Sequence, residues 1–171
     1  MSSRHVTDFD AFFRAESDAL LRTCWGLTVD RESARDLAQE VMARAWRNWE
    51  TVGGSEAPDD SNPAAWCRTV ALNLARGRWR RERVAAKHRP SPAWTTAAEP
   101  TDPDLVDALR GLAQRQREAI VLHHLLDLSV AQCAAEMGVS EPTVKTHLQR
   151  GRAELAAALR DAAPEPERME G

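Results

Sequence analysis

Residues 128–151 read LSVAQCAAEMGVSEPTVKTHLQRG, and the fold is decided here. Leu128 to Glu136 has the spacing of a short helix, with Ser129 near its start. Gly138 supplies the left-handed residue that ends it, and Val139 packs under the turn. Ser140 caps the next helix, with Glu141 and Pro142 in its first turn, where proline is tolerated. Val144, Leu148, Gly151 and Leu155 then fall on one face. Gly151 lowers helix propensity by about 1 kcal/mol, so it is expected where two helices approach closely. The opposite face and its flanks carry Thr143, Lys145, Thr146, Gln149, Arg150 and Arg152. Such side chains hydrogen-bond base edges and phosphates in a major groove. Helix, Gly-Val-Ser, helix is the pattern of a helix-turn-helix; the competing reading is a helical hairpin with a polar outer face.

Upstream of this unit, residues 90–103 hold Pro90, Pro92, Pro100 and Pro103 with Ser91, Thr95, Thr96 and Thr101 among them. That composition breaks helices and makes an extended linker. Asp102-Pro103 is a cap-plus-proline start signal for the second half. The first half is also helical. A first helix is expected to start near Thr7 or Asp8 and to carry Phe9, Phe12, Phe13, Leu20 and Leu21. Asp30 caps a second helix that runs to about Trp49, its apolar positions Leu37, Ala38, Val41, Met42, Ala45 and Trp49 recurring at three and four. Thr51 to Asn62 reads as a flexible acidic loop. Asn62-Pro63 then opens a helix that runs to about Lys87. The expectation is an all-α protein of two small helical domains, 6–89 and 104–160, joined by the Pro-rich linker 90–103 and followed by a disordered acidic tail, 161–171.

Composition narrows the function. Of 171 residues, 43% are hydrophobic and 29% charged, ordinary for a soluble globular protein. No run of about 18 apolar residues would span a membrane, and Met1 to Asp10 lacks a signal-peptide core. A cytoplasmic protein is expected. Cys24, Cys67 and Cys133 are scattered, which argues for buried, reduced thiols against a disulfide framework or a zinc site. The net charge of −3 hides an asymmetry. Residues 1–67 carry 7 basic and 12 acidic side chains, whereas residues 68–89 carry 8 basic and 1 acidic. A basic block inside an acidic chain is the footprint of a polyanion-binding surface.

On a helical wheel over residues 63–83, Trp66, Val70, Leu74 and Gly77 share the side expected to meet the core. Arg68, Leu72, Arg76, Trp79 and Arg83 share the opposite side, flanked by Arg80 and Arg81. Arginine matches phosphate through its fork of donors. Trp79 either stacks on an unpaired base, worth roughly 1–3 kcal/mol, or packs on the neighbouring domain.

Residues 104–160 carry 7 basic and 7 acidic side chains, so their counterion-release gain on DNA is limited. Weak recognition suffices if the unit is tethered to a second DNA-contacting element or a larger machine. That favours a subunit over a free-standing helix-turn-helix regulator, which would leave the basic helix unexplained. Catalysis is not expected. Asp59 and Asp60 sit on a loop without a histidine or metal cluster, adjacent His123 and His124 point about 100° apart on a helix, and no phosphate-cradling glycine loop is present. No cofactor, metal or small-molecule substrate is implied.

The residues resemble a known family. Ser33-Ala-Arg-Asp-Leu-Ala-Gln-Glu-Val-Met-Ala-Arg-Ala-Trp46 is similar to the second conserved region of sigma-70 family factors. Asn62-Pro-Ala-Ala-Trp66, Asn73, Leu74, Ala75 and Trp79-Arg-Arg81 resemble the promoter-melting helix that reads the −10 element. Leu112-Ala-Gln-Arg-Gln-Arg-Glu118, Leu128-Ser129 and Gly138-Val-Ser-Glu-Pro-Thr-Val-Lys145 resemble the fourth region, which reads the −35 element. With two regions and a short linker, the chain resembles the extracytoplasmic-function (ECF) group, and its opening resembles the actinobacterial sigma-E subgroup.

The resemblance implies a partner, core RNA polymerase, gripped by Asp36, Gln39, Glu40 and Arg44. On residues alone, Asp36, Glu40 and Arg47 mark the polar face of the second helix, and the like charges of Asp36 and Glu40 would be relieved by a basic partner. The resemblance further implies promoter DNA as ligand. Arg68, Asn73, Arg76, Trp79, Arg80 and Arg83 would serve the −10 element, and the Thr51–Asn62 loop would capture a flipped base. The linker would thread the polymerase cleft. An anti-sigma factor is a common partner in the group, though no residue here identifies one. Departures from the pattern are Ala113 for a common proline, Gln132 for glutamate, Cys133 for a branched aliphatic and Gly151 for alanine.

Overall fold

A computed structural model describes residues 3–85 and 102–162, with side chains described for 8–81 and 102–162. The described residues form helices α1 (Ser3–Thr28), α2 (Arg31–Arg47), α3 (Trp49–Val52), α4 (Pro63–Ala85), α5 (Pro103–Gly111), α6 (Gln114–Ile120), α7 (Val130–Met137) and α8 (Glu141–Ala162), with no strand among them. A π-helical turn, Val121–Leu125, continues α6. Residues 86–101, most of the expected linker, and 163–171, most of the expected tail, lie outside the described residues.

The start of α1 differs from expectation. It begins at Ser3, so Thr7 and Asp8 lie inside it rather than capping it. No glycine or proline stands between Ser3 and Phe9 to break the helix earlier. The α1–α2 corner is sharp. Val29 adopts φ 50, a region costly for a β-branched residue, and is offset by near-complete burial at 1% exposure. Asp30 then caps α2, its carboxylate accepting from the Ser33 N–H at 2.7 Å. The second helix stops at Arg47 rather than Trp49. Asn48 leaves helical geometry and its amide donates to the Arg44 carbonyl at 2.8 Å, and Trp49 starts the short α3.

Aromatic rings lock α1 onto this corner. Phe9 lies edge-on to Trp46 at 5.0 Å and to Trp49 at 5.2 Å, and Phe12 lies 4.9 Å from Trp49. Leu20, Cys24, Leu37, Val41 and Ala45 complete the core of the first domain.

α4 is turned differently from the wheel. Its most buried positions are Cys67, Ala71, Leu72 and Ala75, while Trp66, Val70 and Leu74 are half-buried. Small residues let the α4 backbone approach α1 and α2, and small side chains carry little weight in a reading that ranks apolar bulk. Leu72, expected on the outer side with the arginines, is fully buried.

In the second domain the caps form as expected. Ser129 and Gln132 make a reciprocal capping box: Gln132 N–H to Ser129 Oγ at 3.2 Å, and Ser129 N–H to Gln132 Oε1 at 2.9 Å. Glutamine thus does the work that glutamate does in the family pattern. Gly138 takes φ 67, ψ 40 and ends α7. A Cβ there would meet no neighbour within 4 Å, so Gly138→Ala should cost only the left-handed backbone penalty, about 1–2 kcal/mol, measurable by chemical denaturation. Gly151 does mark a close approach: a Cβ would lie 3.0 Å from Ile120 Cγ1 and 3.4 Å from Gln116 Cβ of α6. Ala113 also acquires a role. Its N–H, which proline would lack, donates to Gln116 Oε1 at 3.0 Å, and Gln116 donates to Glu154 of α8 at 2.8 Å.

The two domains pack against each other. Gly26 of α1 meets Val121 and Leu125 of the π-helical turn, and Arg110 of α5 donates to the Val29 carbonyl at 3.1 Å.

Candidate nucleic-acid interface

On α8 the side chains expected to contact DNA lie on the outer face of the helix, opposite its apolar stripe. Val144 and Leu148 are buried beneath that face, and Lys145, Thr146, Gln149, Arg150 and Arg152 are exposed. Thr143 is half-buried, its hydroxyl 2.8 Å from Ser140 Oγ. Thr146 donates to the Pro142 carbonyl at 2.9 Å. Arg152 Nε donates to His124 Nε2 at 3.0 Å, which requires a neutral ring. Desolvation, helped by the charge of Arg152, holds the His124 pKa below its ordinary value. Sequence reasoning missed this contact because a regular helix separates adjacent side chains by about 100°. The π-helical turn instead brings the rings of His123 and His124 edge to face at 4.8 Å.

The arginine stripe of α4 divides in two. Arg80 is exposed near the end of the helix, Trp79 is half-buried, and the side chain of Arg83 lies outside the described residues. Arg68 and Arg76, by contrast, are engaged within the chain. Arg68 meets Glu136 of α7, with Nε at 2.8 Å and Nη2 at 2.7 Å from Oε1. Arg76 grips Glu118 of α6 with two parallel bonds, Nε to Oε1 at 2.9 Å and Nη2 to Oε2 at 2.8 Å. Its Nη1 also donates to the carbonyl oxygen of the exposed Asn73 side chain at 3.2 Å. Glu118 is 1% exposed and accepts further bonds from Gln114 and Arg115.

On α2, Asp36 and Gln39 are exposed. Glu40 is not: it accepts from Arg44 at 2.8 Å and from Arg78 of α4 at 3.2 Å. Partial desolvation opposes its ionisation, and the bonds from Arg78 and Arg44 outweigh this, holding its carboxyl below the usual carboxylate range. The repulsion expected between Asp36 and Glu40 is therefore relieved inside the molecule. Arg78, unassigned by sequence reasoning, is the strut between α2 and α4, donating also to the Ser33 carbonyl at 3.3 Å.

The described residues thus present a helix-turn-helix, α7 and α8, and an arginine-rich helix, α4, the pattern of a DNA-binding transcription factor with two contact elements. Residues 12–84 match the model of sigma-70 region 2, and residues 104–155 that of sigma-70, region 4. The chain is 34% identical to an RNA polymerase sigma-E factor of Streptomyces antibioticus over 164 residues, 93% of this chain and 88% of that one. It is 34% identical to the sigma-E factor of Streptomyces coelicolor over 159 residues, 90% and 87% of the two chains. Among solved structures it is similar to the sigma factor RpoE from Bartonella quintana, determined in complex with the anti-sigma factor NepR. The TM-score is 0.73 and identity 26%, covering 90% of this chain and 97% of that one. The chain belongs to the sigma-70 family of RNA polymerase sigma factors, and within it to the ECF group, resembling actinobacterial sigma-E. The family is non-catalytic, and no helix among the described residues is long and apolar enough to cross a membrane.

Proposed function

We propose that this chain is a cytoplasmic, promoter-specific sigma factor that binds core RNA polymerase and starts transcription by recognising −10 and −35 elements. The observation that carries this is the order of two sigma regions on one chain, residues 12–84 and 104–155. A free-standing regulator would need only the second. Domain 6–89 serves polymerase and the −10 element, domain 104–160 the −35 element, and 90–103 joins them. Asp36 and Gln39, exposed on α2, lead the polymerase contact, with Glu40 and Arg44 completing it. Arg68, Asn73, Arg76, Trp79, Arg80 and Arg83 serve the −10 element. Thr143, Lys145, Thr146, Gln149, Arg150 and Arg152 serve the −35 element. An anti-sigma factor is a further partner by analogy with the structural relative.

Gel filtration with core polymerase, followed by transcription from a promoter found by start-site mapping, tests the proposal. A chain that elutes alone and supports no transcription would overturn it. Gln149→Ala or Arg150→Ala should weaken promoter selection by about 1–3 kcal/mol, the range for a bidentate base contact. Competition transcription between matched and −35-altered templates measures this, and equal promoter use by variants and parent would remove these residues from the readout.

A further inference from the structure

Neither histidine of the π-helical turn belongs to the residues proposed to meet polymerase or DNA, yet the backbone bends to bring the two rings together. The Leu126 N–H reaches back five residues to the Val121 carbonyl at 3.2 Å, which opens α6 into the π-helical turn. Such departures from a regular helix often mark working sites. The ring of His123 is fixed from one side. Its Nδ1 lies 2.7 Å from the Leu128 carbonyl oxygen, and a carbonyl only accepts, so Nδ1 carries the hydrogen. That ring meets His124 at 4.8 Å with 65° between the planes. His124 Nε2 in turn accepts from Arg152 Nε at 3.0 Å. A relay of three side chains thus runs from the start of the helix-turn-helix to the middle of α8.

The chemistry of the last contact is unusual in this chain. Arg44, Arg110 and Arg115 pair with the carboxylates of Glu40, Asp107 and Glu118, which offset their charge. The acceptor for Arg152 is a neutral imidazole, which orients a guanidinium and leaves its positive charge whole. The surroundings keep that ring neutral: desolvation first, then the charges of Arg152 and His123, lower its pKa, against Asp127, which raises it. The bond also uses Nε alone. It leaves the paired Nη donors, the edge that grips phosphate oxygens. Arg152 stands seven residues beyond Lys145, so the two share one edge of α8, about 20° apart and about 10 Å along the axis. Both are exposed. His124 is exposed too, so its bond adds little to stability.

We infer that His124 is a positioning residue of the −35 interface, holding Arg152 by Nε so that the Nη edge meets a backbone phosphate at the rim of the major groove. This rests on the proposed assignment of Arg152 to the −35 element and extends it to a residue outside α8. An arginine already held pays less to be ordered on DNA than one that is loose. His123 buttresses the ring that does the holding.

The test uses holoenzyme assembled from the full chain and core RNA polymerase. The probe is a fluorescein-labelled duplex of the promoter found by start-site mapping, read by anisotropy over a series of salt concentrations. Thermal melts check that each variant is folded. Arg152→Ala should weaken binding about tenfold. It should also reduce the slope of log affinity against log salt by about 0.9, the share of one phosphate. His124→Ala should weaken binding about three- to tenfold, the effect of ordering one released side chain. Its salt slope should match the parent, because Arg152 keeps its charge. His124→Gln, which offers a neutral oxygen at the reach of Nε2, should return affinity to within about twofold of the parent. In an Arg152→Ala background, His124→Ala should have no further effect.

A histidine that merely steadied α8 would weaken binding equally in both backgrounds, and that result would overturn the inference. So would an unchanged affinity in His124→Ala, or a glutamine variant as weak as the alanine one. An Arg152→Ala holoenzyme with the parent's affinity and salt slope would instead overturn the assignment of Arg152 itself, leaving Gln149 and Arg150 to their own test.

Discussion

Asp36→Arg is expected to abolish co-elution with core RNA polymerase and to leave the unfolding of the free chain unchanged. The residue is exposed on α2 and forms no ion pair among the described residues. Its neighbour Glu40 differs: two arginines hold that carboxylate, so reversing Glu40 would disturb the α2–α4 strut as well as any interface. Asp36 therefore separates binding from folding. Reversing a charge against a complementary surface costs several kcal/mol, roughly a hundredfold or more in affinity. Gel filtration with core polymerase and a thermal melt of the variant read the two quantities side by side. Full co-elution of the variant would remove α2 from the polymerase contact.

Phe9→Ala should destabilise the first domain by about 3–5 kcal/mol, the usual range for emptying a buried aromatic site. Phe9 is 8% exposed and sits edge-on to both Trp46 and Trp49. It joins α1 to the α2–α3 corner, and edge-to-face pairs add about 0.5–1.5 kcal/mol each beyond area burial. Small domains have little stability to lose, typically about 5–15 kcal/mol in total. Urea denaturation followed by tryptophan fluorescence reports directly on this cluster. Phe13→Ala is the control: it lies on the same helix but is 43% exposed, and its loss should be a fraction of that figure. Equal effects from both would show that the aromatic cluster is not what holds α1 in place.

Some of the fold is legible because its causes are local. Asp30, Ser129 and Gly138 act on backbone groups within a few residues of themselves, and each does so as its chemistry predicts. The polar outer face of α8 is legible for the same reason, since its apolar stripe fixes which residues point outward. Gly151 was readable from its cost: a helix keeps a glycine where a neighbour leaves no room.

The α4 stripe marks the boundary of that kind of reading. A wheel distinguishes two sides of a helix but not what lies beyond each. Here one side meets α1 and α2 through small residues, and the arginine side meets another domain. The partners of Arg76 and Arg68 stand 42 and 68 residues away in the chain, beyond any periodic signal. Likewise the Arg78–Glu40 strut spans 38 residues, and the Arg152–His124 contact needs a π-helical turn that the residue pattern does not announce.

Helix identity, the caps at Asp30, Ser129 and Gly138, the outward face of α8 and the existence of a basic helix were thus determined by the sequence itself, through hydrogen bonds and side-chain spacing within one or two turns. Which arginines stay open to solvent, and which are held by carboxylates, was decided only by the tertiary structure. A guanidinium takes whichever acceptor packing brings within about 3 Å, and packing is a property of the folded chain.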